Sequence, residues 1–241
     1  MAVRLSVNIN KVALIRNSRG GIRPDLIQFA KDCEEFGAQG ITVHPRPDER
    51  HIRYNDLQPL KDIVTTEFNI EGYPSPHFID QVCKVRPHQV TLVPDPPGVL
   101  TSSEGWDTDK HLSFLKEVIA EFKSHNIRVS IFLEPEEKDV ESAKRTNTDR
   151  IEFYTGQYAN QFYKNKSQAV ENHIKAAQKA REIELGVNAG HDLDLDNLHH
   201  YVNAVPNLLE VSIGHALVSD ALYFGIQNTI RMYKHQIAKN T

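Results

Sequence analysis

The chain has 241 residues, with 28 Lys and Arg against 32 Asp and Glu and a formal charge of −4. That balance argues against a nucleic-acid partner, because phosphate-backbone binding draws on clustered Lys and Arg in excess. Hydrophobic residues at 39% exclude the disordered class, and no window approaches the roughly 18 apolar residues of a membrane span.

The N-terminus, MAVRLSVNINK, meets Asn and Lys before a signal-peptide core of about 7–15 apolar residues can form, which predicts a cytoplasmic protein. The first candidate strand is Leu5–Ile9, and Asp25–Phe36 then carries a helical stripe of Leu26, Ile27, Phe29, Ala30 and Cys33. Strands follow at Gly40–His44, Phe68–Gly72 and Gln89–Pro94, the last leaving through a rigid Pro94–Gly98 loop. Asp109–His125 is amphipathic, with Leu112, Leu115, Val118, Ile119 and Phe122 on one face. Further strands read Arg128–Glu134, Arg150–Gly156, Gly186–Gly190 and Leu208–Gly214, several of them nearly continuous apolar runs with both faces covered. Ser167–Ile183 and Ser219–Ile237 are long helical patterns. Cys33 and Cys83 form no CxxC, which disfavours a disulfide framework and a zinc ribbon. Strand–helix units of about 30 residues predict one (β/α)8 TIM barrel with parallel strands, a single catalytic domain over 1–241. A doubly wound open sheet is the alternative, but it calls for a Gly-rich turn after the first strand, and NINKVALIRN has none.

Barrel catalysis belongs to the C-terminal ends of the strands, and polar residues collect there. Strand one ends in Asn8, Asn10 and Lys11; strand two in His44, then Arg46 and His51; strand three in Glu71; strand six in Glu152; strand seven in Asn188 and His191; strand eight in Gly214 and His215. A carboxylate in an apolar strand is costly unless it is paired or functional. Each residue has a plainer reading: His44 as a core histidine, Glu71 and Glu152 as ion-pair partners of Arg, His191 as a loop residue. Their coincidence favours a site. His111, His125, His173, His199 and His200 fall in helical patterns as solvated or capping residues. The loops after strands seven and eight suit phosphate, with Arg19 and Arg46 available for two phosphates. Asp192-Leu-Asp194-Leu-Asp196 lacks the Gly and final Glu of a calcium loop, so Asp194 or Asp196 is expected to cap the next helix. No HxH or HExxH supports a metal site.

These segments resemble the pyridoxine 5'-phosphate synthase family. The resemblance rests on VNI and RNSRG (7–9, 16–20), GAQGITVHPRPDERHI (37–52), NIE (69–71), LVP (92–94), IEFYTGQYA (151–159), VNAGH (187–191) and IGHAL (213–217). It implies cofactor-free condensation of 1-deoxy-D-xylulose 5-phosphate with 3-amino-2-oxopropyl phosphate, releasing phosphate and water, in an octamer built from dimers. By the same resemblance His44 and Glu71 accept protons, His191 donates one, and Glu152 stabilises a charged intermediate. Asn8, Arg19, Gly214 and His215 would bind the amino-ketone phosphate; Arg46, His51 and Thr101 would bind the deoxyxylulose phosphate. The chain departs from the family pattern at Asn10-Lys11, where Asp-His is usual, and at Asp192, where Gly is usual; all three are expected to contact substrate, Asp192 through its backbone N–H. Those changes make a silent phosphosugar-binding homologue one rival, and a metal-dependent barrel hydrolase is another.

Overall fold

The computed structural model of the chain describes residues 2–95 and 104–238. Eight parallel strands close into a barrel in chain order: β1 (Arg4–Asn8), β2 (Gly40–Val43), β3 (Glu67–Gly72), β4 (Gln89–Leu92), β5 (Arg128–Leu133), β6 (Arg150–Tyr154), β7 (Gly186–Gly190) and β8 (Leu208–Ile213). Each pairs with the next, and β8 returns to β1 through Val7↔Ile213. The ring has no free edge, which excludes the open sheet.

Helices fill every crossover. α1 (Asn10–Asn17) and α2 (Leu26–Glu35) follow β1, α3 (Tyr54–Ile63) follows β2, α4 (Pro76–Val85) follows β3 and α5 (Leu112–Ser124) follows β4. Then come α6 (Glu137–Lys144), α7 (Gly156–Phe162), α8 (Lys166–Glu182), α9 (Leu198–Ala204), α10 (His215–Phe224) and α11 (Ile226–Ile237). Their ends follow local chemistry. Asp25 caps α2 by accepting from the Ile27 and Gln28 N–H groups, and Ser75 with Pro76 opens α4. The helical run expected over 219–237 is two helices, broken at Gly225, whose φ of 73° ends α10. Asp194, rather than Asp196, organises the turn into α9, its Oδ1 accepting from the N–H of Asp196 and Asn197.

The strands are not apolar on both faces. One alternating set, including Leu5, Val7, Ile41, Val43, Phe68, Ile70, Val90 and Ile131, packs into the apolar core with the helices. The other set lines the inside of the barrel and is polar. Ser6 bonds Thr42 at 2.7 Å, the Asn69 amide donates to Thr42 at 3.4 Å, and Thr91 donates to Asn69 at 3.1 Å. Below this belt Glu67 pairs with Arg4 at 3.2 Å and with Arg128. Asn188 belongs to this interior rather than to the barrel mouth, because it accepts from Arg150 at 3.3 Å. His173 also departs from expectation: it is 1% exposed, packs against Phe153, Tyr158 and Tyr201, and contacts the Tyr154 carbonyl oxygen through Nε2 at 3.2 Å. Among the described residues, no helix is long and apolar enough to cross a membrane.

Candidate active site

The inward-facing set ends, at the C-terminal rim, in a cavity of about 550 Å³. Asn8 of β1, Glu71 of β3, Phe132 of β5, Glu152 of β6 and Ser212 of β8 reach it from the barrel wall. His44, Arg46, Arg50 and His51 enter from the β2–α3 loop, and Asn10 and Lys11 from the start of α1. His191 and Asp192 enter after β7, and Gly214 and His215 after β8, with Gly214 against Asn8.

Local bonding fixes these residues. The Asn8 side chain donates to Glu71 Oε2 at 3.3 Å and accepts the Asn10 N–H at 3.1 Å, while Asn10 Oδ1 accepts the His44 N–H at 2.9 Å. The tip of β1 therefore sets the position of both His44 and Glu71, whose Nδ1 and Oε2 lie 3.9 Å apart. Arg16 of α1 grips Asp56 at 2.7 and 2.8 Å, and the Asn17 amide donates to the His51 carbonyl at 2.7 Å. Those bonds tie the β2–α3 loop to α1 and hold Arg46, Arg50 and His51 at the rim. Arg46 pairs with buried Asp95 at 2.8 Å. His51 turns Nδ1 inward to accept the Ile52 N–H at 2.9 Å, and its ring meets His44 edge-on at 6.3 Å. At β7, Gly190 has no room for a side chain, since a Cβ there would lie 2.5 Å from Glu152 Oε1.

Burial and charge set the titration of these groups. Burial pushes the Glu71 carboxyl up to about 8; Asp95 adds to the shift and Arg46 opposes it. Burial holds Glu152 well above the carboxylate range, with Glu71 adding to the shift. His44 is held well below the usual imidazole range by burial and then by Arg46, and His51 is lowered to about 4 by burial, Arg46 and Arg50. Near neutral pH the neutral rings of His44 and His51 therefore stand with protonated Glu71 and Glu152. Such a set exchanges protons readily with a bound substrate. Glu71 and Glu152 are not the Arg-paired carboxylates of the plainer reading; the Arg4 and Arg128 pairs fall to Glu67, deeper in the barrel.

Among the sequence-predicted residues, Asn8, Asn10, Lys11, His44, Arg46, His51, Glu71, Glu152, His191, Asp192, Gly214 and His215 meet at this one cavity. Arg19 does not join them: it is exposed on the loop after α1. Thr101 lies outside the described residues. Sequence reading missed Arg50, Asp95 and Phe132. Arg50 had a signal, standing inside DERHI beside His51, whereas Asp95 looked like part of a proline-rich turn. Gly214 leads directly into α10, so the helix start expected for phosphate binding does face the cavity. Among the described residues, the one His, Cys and carboxylate group close enough to share an ion is Cys83, Glu121 and His125. It lies between α4 and α5, in a cleft shared with Lys84 and Arg86, and includes none of the mouth residues.

Residues 5–239 match the family model described as "Pyridoxal phosphate biosynthesis protein PdxJ". A protein of Cytophaga hutchinsonii named pyridoxine 5'-phosphate synthase is 57% identical over 236 residues, covering 98% of this chain and 99% of its own. One of the same name from Bacteroides thetaiotaomicron is 56% identical over 232 residues, covering 96% and 98%. Among solved structures, 3-keto-L-gulonate-6-phosphate decarboxylase of Vibrio cholerae superposes with a TM-score of 0.67 at 6% identity, covering 98% of each chain. Phosphoribosylanthranilate isomerase of Thermotoga maritima gives 0.61 at 14%, also covering 98% of each. At those identities the structural matches speak only to the barrel.

Proposed function

The chain belongs to the PdxJ family of pyridoxal phosphate biosynthesis proteins, and from that premise we propose that it is a pyridoxine 5'-phosphate synthase whose proton transfers are made by its own side chains. Its substrates are 1-deoxy-D-xylulose 5-phosphate and 3-amino-2-oxopropyl phosphate; its products are pyridoxine 5'-phosphate, inorganic phosphate and water. The observation that carries the reading is the meeting at the barrel mouth of half-buried Glu71, buried Glu152 and buried His44, with His44 Nδ1 3.9 Å from Glu71 Oε2.

The reaction joins amine to ketone as an imine, expels water and phosphate, and closes the ring by a carbon–carbon bond. Each stage moves a proton to or from carbon, nitrogen or oxygen. Neutral His44 accepts a proton, and Glu71, 3.9 Å away, returns one or takes the next once it is ionised. A cationic imine beside Glu152 favours the carboxylate form, so this group ionises when positive charge develops next to it. His191 protonates the departing oxygen. Lys11, Arg46 and Arg50 supply charge for two phosphate groups, and Gly214 and His215 present the α10 start to one of them. Asn8 and Asn10 hold the reacting groups in register, and His51 lies beside the Arg46 phosphate position. No metal or organic cofactor enters this scheme.

His191→Asn and Glu71→Gln test it. Each keeps size and a hydrogen-bonding group but removes the titratable one, so kcat falls about 10²–10⁴-fold with substrate binding and the melting temperature retained. Turnover at the wild-type rate, or inactivity explained by unfolding, refutes the assignment.

We also assign residues 1–241 to one catalytic domain, acting in the cytoplasm without nucleic-acid or membrane partners, as a homo-oligomer of octameric order. Exposed apolar side chains that support assembly are Ile15 of α1, Ile22, and Leu222 and Tyr223 of α10, the last 86% exposed. Light scattering measures the particle mass directly.

A further inference from the structure

The left-handed turn after β7 places a carboxylate against the ring of His191. His191 has a φ of 93°, a conformation that a residue with a side chain adopts only when its surroundings impose it. Those surroundings are specific. The Thr155 hydroxyl donates to the Gly190 carbonyl at 2.7 Å and accepts the Asp192 N–H at 3.1 Å. On the far side, the Asn197 amide donates to the Asp192 carbonyl at 3.1 Å. With its backbone held on both sides, Asp192 directs Oδ2 to His191 Nδ1, 2.6 Å away, and Tyr154 packs edge-on against the same ring at 5.6 Å. The N–H that sequence reading assigned to substrate is thus bonded to Thr155, and the side chain is the part of Asp192 that faces the chemistry.

We propose that Asp192 is a positioning residue: its carboxylate holds Nδ1–H of His191 and aims Nε2 at substrate, so that the imidazolium passes its Nε2 proton to the departing oxygen and is left as the neutral Nδ1–H tautomer. The inference rests on the proton-donor role proposed above for His191. An imidazole with Nδ1–H on a carboxylate has one defined tautomer, and its orientation no longer depends on side-chain rotation. The same bond accounts for an acid in a phosphate pocket, because the carboxylate charge is directed at the imidazole N–H. A glycine at this position offers no such group, so the device is particular to chains with Asp here.

Four variants and one spectrum test this. Asp192→Ala lowers kcat about 10- to 100-fold with KM nearly unchanged, a smaller loss than removing the imidazole itself. Asp192→Asn, which keeps an acceptor for Nδ1–H, recovers part of that loss. In a His191→Asn background, Asp192→Ala has no further effect. In protein labelled with ¹⁵N-histidine, the His191 ring reports Nδ1–H in the wild type and a redistributed tautomer in Asp192→Ala, with melting temperatures showing that both are folded. Wild-type kcat in Asp192→Ala, with His191→Asn impaired, overturns the positioning role and leaves the proton-donor reading standing. An equal loss in both backgrounds, or an unchanged ring spectrum, also overturns it. Wild-type turnover of His191→Asn overturns both readings.

Discussion

Glu71 links burial to chemistry through a single titration. Its pKa of about 8 follows from desolvation and from Asp95, only partly offset by Arg46. Where the carboxylate is the working form, kcat/KM rises about tenfold per pH unit below about 8 and levels off above it. Glu71→Gln removes that limb, and a wild-type profile already flat below pH 8 contradicts the role. Lys11 should act differently. It lines the cavity at the start of α1, near enough to His51 to help lower that ring's pKa. A charge-assisted bond to phosphate contributes about 1–3 kcal/mol, so Lys11→Ala raises the deoxyxylulose phosphate KM roughly 5- to 150-fold with kcat little changed. A collapsed kcat at constant KM would give Lys11 a part in the chemistry instead. At this scale most of the candidate site was legible, because a His or Glu ending an apolar strand announces a cost that needs a reason. Asp95 was not legible: its partner Arg46 is 49 residues away, and nothing local marks the pair.

At the scale of elements, strand positions followed β-branched and apolar runs closely, while the inner face of the barrel did not. Residues such as Ser6, Thr42, Asn69, Thr91 and Ser130 are small or neutral, so their alternation is hidden inside runs that read as uniformly strand-forming. The single long helix expected at the C-terminus failed because apolar periodicity continues across Gly225 even though the backbone there does not. The polar interior has an energetic consequence at β8. Glu210 is 1% exposed, its Oε2 lacks a hydrogen-bond partner, and its pKa is raised from 4.5 to about 8 by burial and then by Glu67, against Arg150 and Arg4. The folded protein thus holds a proton that the unfolded chain releases near 4.5, and stability is lost as pH rises from there to about 8. Glu210→Gln should leave the melting temperature unchanged below 4.5 and raise it by a margin that grows toward pH 8. A variant less stable than wild type at pH 8 would show instead that the charge is needed by Arg150 and Arg4.

Across the whole molecule, closing the barrel brings into one cavity residues from Asn8 to His215, which the chain keeps far apart. Sequence order foretold that gathering because each strand contributes its C-terminal residue to the same rim. It could not show which arginines line the cavity: Arg46 and Arg50 do, whereas Arg19 is exposed on the loop after α1. On the function proposed above, this rim performs a complete ring-closing condensation with protein groups alone. The most direct test incubates the purified, exhaustively chelated protein with both phosphorylated substrates and follows pyridoxine 5'-phosphate and free phosphate together. Catalytic formation of both at an undiminished rate, one phosphate per pyridoxine 5'-phosphate, is the predicted result. Absence of product, or activity lost on chelation and restored by Zn²⁺ or Mn²⁺, would contradict it.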